Sequence, residues 1–513
     1  MDRKQIQHHL ATQEALSPHS FLGDGLPHGM VQRESGRLLM LAIVLVFGFV
    51  ILGLLGGCSV MPTKADASRD LVTFVVLGAE GQPVARAITP AHECPQIVLD
   101  GQPHAMQVRA PAAVIAQRTT LSSVADSKPS SFPVLTCEAA IPRQTQAASI
   151  AGRALHLPKA DITRIVVIGD TGCRLKNADH AYQPCNDPAR YPYAQVAAQA
   201  AAWHPDLVIH VGDAVYRENK CPEGNTGCAG SPWGYGWDAW QADFFKPGKV
   251  LLEAAPWALA RGNHEACLRA GQGWWRFLDP QPLHAGQDCN DAANDNIGDY
   301  SDVYAIPLGG DAQLIMLDTA NTAGKPIPVG DVREAKYRTM YQQMDALSQH
   351  ARYNIGVNHH PILGFGAKQA ADGSVKLLPG NQGLQSVFER INPLLLPPRV
   401  NAMLSGHIHL WQEVSFSSPH PTQFVAGFSG TEEDTVLMPA KLPVGATPAV
   451  GAVVDQLSSW VNGFGYMTME RVNTTSSTIA DQWLVKVWDV HGKQVNTCHI
   501  EGKKSVCDIG LVQ

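Results

Sequence analysis

Five short apolar runs in this chain stop in the same manner, each on a glycine or asparagine followed at once by a carboxylate, an amide or an imidazole. They are "RIVVIGD" to Asp170, "LVIHVGD" to Asp213, "WALARGNHE" through Asn263 and His264 to Glu265, "YNIGVNHHP" through His359 and His360, and "NAMLSGHIHLW" through His407 and His409. A short hydrophobic run bounded by turn residues reads as a buried strand. Helical stretches lie between the runs: "DPARYPYAQVAAQAAAW", with Pro188 near its first turn, "WDAWQADFFKPGKVLLEA", and "DVREAKYRTMYQQMDALSQHA". Strands alternating with helices predict an α/β core around a largely buried sheet. In such sheets ligands gather beyond the carboxyl ends of the strands. One edge is therefore expected to collect Asp170, Asp213, Asn263, His359, His407 and His409. Any one of these alone is an ordinary turn residue. Together they have the composition of a site for two cations, since carboxylate and imidazole suit Zn, Fe and Mn and one carboxylate can bridge two ions. Buried without cations, the same groups carry a heavy desolvation cost. On extended backbone His407 and His409, two apart, point the same way, so both imidazoles are expected to face the ions.

Composition removes other classes. The 513 residues are 45% hydrophobic and 17% charged, enough for a large core and more than one domain. The net charge is −7 and no basic stripe is present, which argues against nucleic-acid binding. The chain has no G-x-S-x-G elbow, no P-loop and no G-x-G-x-x-G fingerprint.

Residues 38–57, "LLMLAIVLVFGFVILGLLGG", are uncharged, follow Arg33 and Arg37, and run directly into Cys58. By length the segment could span a membrane. Its ending "LGGC" resembles the lipobox of bacterial lipoproteins, which makes Cys58 the expected lipidation site and 1–57 a signal leader, with Met30 the tidier start. An uncleaved anchor in the inner membrane, facing the periplasm, is the alternative. Either way the body is expected in the bacterial cell envelope, as a periplasmic or outer-membrane lipoprotein in the first case, held to the membrane by an N-terminal lipid or anchor. The other ten cysteines, Cys94, Cys137, Cys173, Cys185, Cys221, Cys228, Cys267, Cys289, Cys498 and Cys507, are even in number, as disulfides in an oxidising compartment require. Pairing between nearest neighbours would close five short loops, although spacing does not fix connectivity, and no C-x-x-C zinc spacing occurs. Short β-like pieces such as "LVTFVVLG" and "FPVLTCEA" mark 58–160 as a β-rich module, read as support or spacer. A catalytic domain over 161–490 and a C-terminal β extension over 491–513 complete the expected organisation.

The ordered set of five strand ends, over about 163–430, resembles the calcineurin-like metallophosphoesterases. Where that superfamily opens with Asp-x-His, this chain has Asp170-Thr171-Gly172, and it carries Tyr216 three residues after Asp213. Histidine lost and tyrosine gained is the pattern of the purple acid phosphatases. The resemblance implies a four-layer α/β/β/α sandwich preceded by the small β-rich domain. It also implies an iron(III) ion held by Asp170, Asp213, Tyr216 and His409. Asp213 would bridge to a divalent Fe, Zn or Mn completed by Asn263, His359 and His407. His264 would help protonate or stabilise the leaving oxygen while a metal-bound hydroxide attacks phosphorus. The implied activity is hydrolysis of small phosphomonoesters. A phosphodiesterase or nucleotide-directed phosphatase using the same centre, and a catalytically silent metal-binding surface lipoprotein, are the competing readings. His360 is either a substrate contact or structural, and Glu265 either orients His264 or caps the following turn. The aromatics Trp233, Tyr235, Trp237, Trp240, Trp274 and Trp275 read mostly as packing, with a roof over the substrate pocket that selects the leaving group as the alternative. Three disulfides, Cys173 with Cys185, Cys221 with Cys228 and Cys267 with Cys289, would brace the metal-bearing loops.

Overall fold

The alternation along one strand reveals the layering. In β1 (Arg164–Ile168), Ile165 and Val167 enter one apolar cluster while Val166 and Ile168 enter another, because successive side chains leave a strand on opposite faces. The structure is a computed structural model that describes residues 70–432, 438–439, 441–461, 463–472 and 482–512. The expected leader over 1–57, its hydrophobic segment and Cys58 lie outside these residues. Among the described residues no helix is long and apolar enough to cross a membrane.

β1, β2 (Leu207–His210) and β3 (Trp257–Leu259) are parallel neighbours within an 11-stranded sheet. β4 (Tyr353–Val357) and β5 (Val400–Ser405) are parallel neighbours within an eight-stranded sheet. Ile165, Val167 and Ile209 of the first sheet share a buried cluster with Ile355, Val357 and Leu404 of the second. On the other face of the first sheet, Val166 and Val208 pack with Val196, Ala197 and Ala200 of α1 (Tyr193–Ala202). On the other face of the second, Ile315 and Met403 pack with Met340 and Met344 of α2 (Val332–Ser348) and Val387 of α3 (Gln382–Phe388). The apolar clusters thus stack in the order helix, sheet, sheet, helix. Each fully buried Val, Ile or Leu contributes roughly 1.5–3 kcal/mol of transfer free energy to this arrangement.

Local chemistry sets the helix ends. Asp331 caps α2 by accepting the Arg333 N–H, and Asn381 caps α3 by accepting that of Leu384. The helix expected to begin near Pro188 begins instead at Tyr193. Asp187 draws the preceding residues into a turn, its carboxylate accepting the Ala189 N–H and its carbonyl those of Arg190 and Tyr191.

Both flanks of the chain extend the central sheets. Val72–Leu77 pairs in parallel with β3, and Pro83–Thr89, Leu135–Ala140 and Gln107–Ala110 continue that edge. Buried Arg86 and Arg109 share Glu138 and reach the carbonyls of Phe277 and Trp275, fastening this region to the loop after β3. At the opposite edge Gly465–Arg471, Gln482–Asp489, Gln494–Glu501 and Lys504–Cys507 follow β1, while Leu511–Val512 joins the second sheet. Disulfides join nearest neighbours: Cys94 to Cys137, Cys173 to Cys185, Cys221 to Cys228, Cys267 to Cys289 and Cys498 to Cys507.

Candidate metal centre

The three parallel strands of the first sheet and the two of the second bring their carboxyl ends to one place. Asp170 follows β1, Asp213 follows β2, Asn263 and His264 follow β3, His359 and His360 follow β4, and His407 and His409 follow β5. Asp170, Asp213 and His407 all have left-handed backbone, with φ of 53°, 58° and 71°. Non-glycine residues in this region cost roughly 1–3 kcal/mol each and persist where the surroundings over-determine them. The glycines in the motifs make room for neighbouring ligands. A Cβ on Gly262 would collide with the Asp213 carboxylate, and one on Gly406 with that of Asp170.

The donor atoms fall into two groups joined at one oxygen. In the first, the Tyr216 hydroxyl lies 2.8 Å from Asp170 Oδ1, 2.8 Å from Asp213 Oδ2 and 2.9 Å from His409 Nε2. In the second, His359 Nε2 lies 3.0 Å from both Asp213 Oδ2 and Asn263 Oδ1, and His407 Nδ1 lies 3.0 Å from the same Asn263 oxygen. Asp213 Oδ2 belongs to both. Separations of this size are the edges expected between ligands that share an ion at about 2.1 Å. Asp170, Asp213, Tyr216 and His359 are completely or almost completely buried.

Acceptors here converge on acceptors. His359 Nδ1 is 2.8 Å from the Val211 carbonyl and His409 Nδ1 is 2.9 Å from that of Glu432, so each ring donates on that side and turns the lone pair of Nε2 inward. In the neutral ring the His359 lone pair would meet a carboxylate and an amide oxygen. A single phenolic proton of Tyr216 faces two carboxylates and an imidazole. Burial and the two aspartates hold the Tyr216 hydroxyl well above the ordinary phenol range. Against the opposing effect of burial, the Asp213 carboxylate raises His359 to about 9, so near pH 7 a proton on Nε2 occupies the place that a cation would take between His359 and Asp213. The centre is thus buried and rich in carboxylate, amide, phenol and imidazole donors, and this donor chemistry fits two cations.

His407-Ile408-His409 departs from the extended backbone expected of it. The Ile408 N–H donates to the Gly406 carbonyl at 2.9 Å and the Leu410 N–H to that of Ile408 at 2.8 Å, so the segment is a series of bends. Period-two alternation does not apply there. The left-handed turn at His407 sends the two imidazoles to different donor groups instead.

Residues 163–410 match the calcineurin-like phosphoesterase family. This region is a calcineurin-like phosphoesterase domain. Among solved structures, a purple acid phosphatase from yellow lupin (Lupinus luteus) seeds is similar at 12% identity and a TM-score of 0.51, over 84% of this chain and 74% of that one. The structure of PhoD is similar at 10% identity and a TM-score of 0.46, over 86% of this chain and 92% of that one. At 12% identity the likeness to the lupin protein is one of fold. No curated protein matches the chain.

Around the phosphoesterase donors lie residues whose parts sequence did not assign. Glu265 neither orients His264 nor serves only as a cap. Its carboxylate accepts the N–H groups of Asp213, Ala214, Val215 and Gly262, holding the turn that presents Asp213. The His264 backbone N–H donates to Asp213 Oδ1 at 2.7 Å, and its ring lies 3.8 Å from that of Tyr216, centre to centre. Burial and the neighbouring Arg269 guanidinium lower His264 to about 4, leaving the imidazole neutral near pH 7. His360, also buried, has Nδ1 3.3 Å from Thr319 Oγ1 and its ring 4.3 Å from that of His407, and with His359 and His407 it forms a cluster able to hold an ion. Glu218 and Arg269, absent from the sequence expectations, form a buried ion pair against His264. Their signal was faint, a charged residue two or more places beyond each recognised motif. Tyr235, Trp237, Trp240, Trp274 and Trp275 are buried, and the Tyr235 hydroxyl donates to Glu218 at 3.0 Å.

Proposed function

We propose that this chain hydrolyses phosphomonoesters at a pair of metal ions, outside the cytoplasm. One observation carries the reading: two converging donor groups share Asp213 Oδ2. When bound, two ions in such a centre lower the pKa of water and neutralise charge on a phosphoryl oxygen. Asp170, Asp213, Tyr216 and His409 would hold the first, with iron(III) suited to the phenolate of Tyr216. Asp213, Asn263, His359 and His407 would hold the second, a divalent Fe, Zn or Mn. The Val211 and Glu432 carbonyls fix the two imidazoles by their Nδ1–H groups, and Glu265 fixes the backbone of Asp213. His264, in contact with Tyr216 and one hydrogen bond from Asp213, is assigned to the departing oxygen. Five disulfides support an oxidising compartment and with it export, and the "LGGC" ending at Cys58 supports anchoring there.

The test is elemental analysis of the purified protein beside hydrolysis of p-nitrophenyl phosphate and bis(p-nitrophenyl) phosphate. Two ions per chain and faster turnover of the monoester are expected. Faster turnover of the diester would reassign the bond type. Turnover of neither substrate, with metal bound, would leave only a metal-binding protein.

A further inference from the structure

Arg269 lies five residues beyond His264 on the loop after β3, and four features set it apart from a loop brace. Its Nη2 donates to His264 Nε2 at 2.7 Å, on the ring that stands 3.9 Å from the shared Asp213 oxygen. The same nitrogen pairs with Glu218 Oε1, and Glu218 is itself fixed by the Tyr235 hydroxyl. His264 Nδ1 is 3.0 Å from that Glu218 oxygen but out of line for a hydrogen bond, so Arg269 rather than His264 makes the directed contact. Finally, Arg269 Nε is buried and, among the described residues, has no hydrogen-bond partner. A guanidinium carries five N–H donors in a planar fork; Nη2 spends its two on His264 and Glu218, which leaves Nε–H as the buried donor without a partner that an anion's oxygen would satisfy.

The other guanidiniums on these loops are engaged. Arg217 Nε is held by Asp243, and Arg261 by the carbonyls of Glu265 and Gly298. The Arg269 loop is stiff: the Cys267–Cys289 disulfide crosses it, the Cys267 N–H donates to Asp299, and the Ala270 N–H returns to the His264 carbonyl. A preorganised donor loses little conformational entropy when an anion arrives. From the far side, residues 121–126 of the N-terminal region close over the network. The Leu121 N–H donates to the Leu268 carbonyl, and Asn219 links Ser122 to the Asp126 carbonyl.

We propose that Arg269, held by Glu218 beside His264, binds the terminal oxygens of the substrate's phosphoryl group. This rests on the phosphoesterase reading above and narrows it. A monoester has three non-bridging oxygens and a diester two, so a centre that supplies a guanidinium beside two cations favours the monoester. Glu218 is then a positioning residue, holding the guanidinium beside His264.

Arg269→Met and Arg269→Lys separate this role from a structural one. For Arg269→Met, affinity for inorganic phosphate by calorimetry and kcat/KM for p-nitrophenyl phosphate should each fall about 100-fold. The loss for bis(p-nitrophenyl) phosphate should stay within about threefold, because the diester lacks the third oxygen, and metal content should not change. Arg269→Lys keeps the charge without the fork and should fall between wild type and Arg269→Met. Equal losses on both substrates, or unchanged phosphate affinity in both variants, would overturn the assignment. If Arg269→Met fails to fold, Arg269→Lys alone decides, and wild-type phosphate affinity in that variant counts against the proposal. Wild type that binds phosphate through Arg269 but hydrolyses neither ester would sink the catalytic reading while leaving the anion contact standing.

Discussion

Glu265→Gln probes how the centre is braced. Glu265 follows β3, yet its carboxylate reaches the turn beyond β2. Oε2 accepts the Asp213 and Gly262 N–H groups at 3.0 and 3.1 Å, and Oε1 accepts those of Ala214 and Val215 at 2.8 and 3.3 Å. Burial and the Asp213 carboxylate raise its carboxyl to about 7, so the comparison is made at pH 8, where it is ionised. Glutamine keeps the shape but offers one carbonyl oxygen and sets an NH₂ group against two backbone donors. Losing two charge-assisted bonds of roughly 1.5–3 kcal/mol each gives an expected destabilisation of about 3–6 kcal/mol. That is a large share of the roughly 5–15 kcal/mol that holds an ordinary domain folded. With Asp213 at φ 58° no longer pinned, metal affinity should also fall about 10–100-fold. The assay is urea unfolding of the metal-stripped protein, disulfides intact, followed by elemental analysis after dialysis against a zinc buffer. A variant within about 1 kcal/mol of wild type that retains its metal refutes the brace.

Tyr216→Phe removes the hydroxyl between Asp170, Asp213 and His409, and should abolish any visible phenolate-to-iron(III) absorption and reduce metal content. A colourless wild type holding two zinc ions would remove iron from the assignment. Replacing Cys267 and Cys289 by serine opens a crosslink of sequence separation 22 and should cost about 3 kcal/mol together with metal occupancy. The same change at Cys498 and Cys507, on the edge of the first sheet, should lower stability without touching metal content. Glu413 supplies a pH dependence apart from the donor set: burial raises its carboxyl to about 8, against a hydrogen bond from Ser505. The folded chain then holds this proton more tightly than the unfolded one, so its contribution is complete below about 4.5 and is lost as pH rises through about 8, by up to ~5 kcal/mol. Glu413→Gln should flatten urea midpoints measured from pH 5 to 9, and an unchanged slope would contradict the shift.

Much of the centre was legible because its residues sit at strand ends, where hydrophobic pattern and motif coincide. Asp170, Asp213 and Asn263 follow the rule that parallel strands of one sheet deliver their carboxyl ends to one edge, and His359, His407 and His409 follow it in the second sheet, whose packing on the first brings the two sets together. The role of Glu265 was not legible, since three of its four partners are backbone N–H groups of another loop, and backbone donors leave no trace in residue identity. Glu218 and Arg269 were missed for a related reason. Their pairing crosses from the turn after β2 to the loop after β3, and a lone Glu or Arg beyond a motif resembles any surface charge. The helix start at Tyr193 was misplaced because a proline that suits a first turn suits the Asp187 turn equally well.

The sequence by itself determined the chemistry: which donor types are present, that they end hydrophobic strands, and that glycines precede four of the five ends. Those facts follow from side-chain identity and from periodicity, both local. Only the tertiary structure decided that one oxygen of Asp213 serves both donor groups, and that the turn carrying it is held by a carboxylate from the neighbouring strand end. It also brought Val72–Leu77 into the same sheet as β3. These are relations between segments distant in sequence, set by how two twisted sheets pack and by which buried polar groups must find partners.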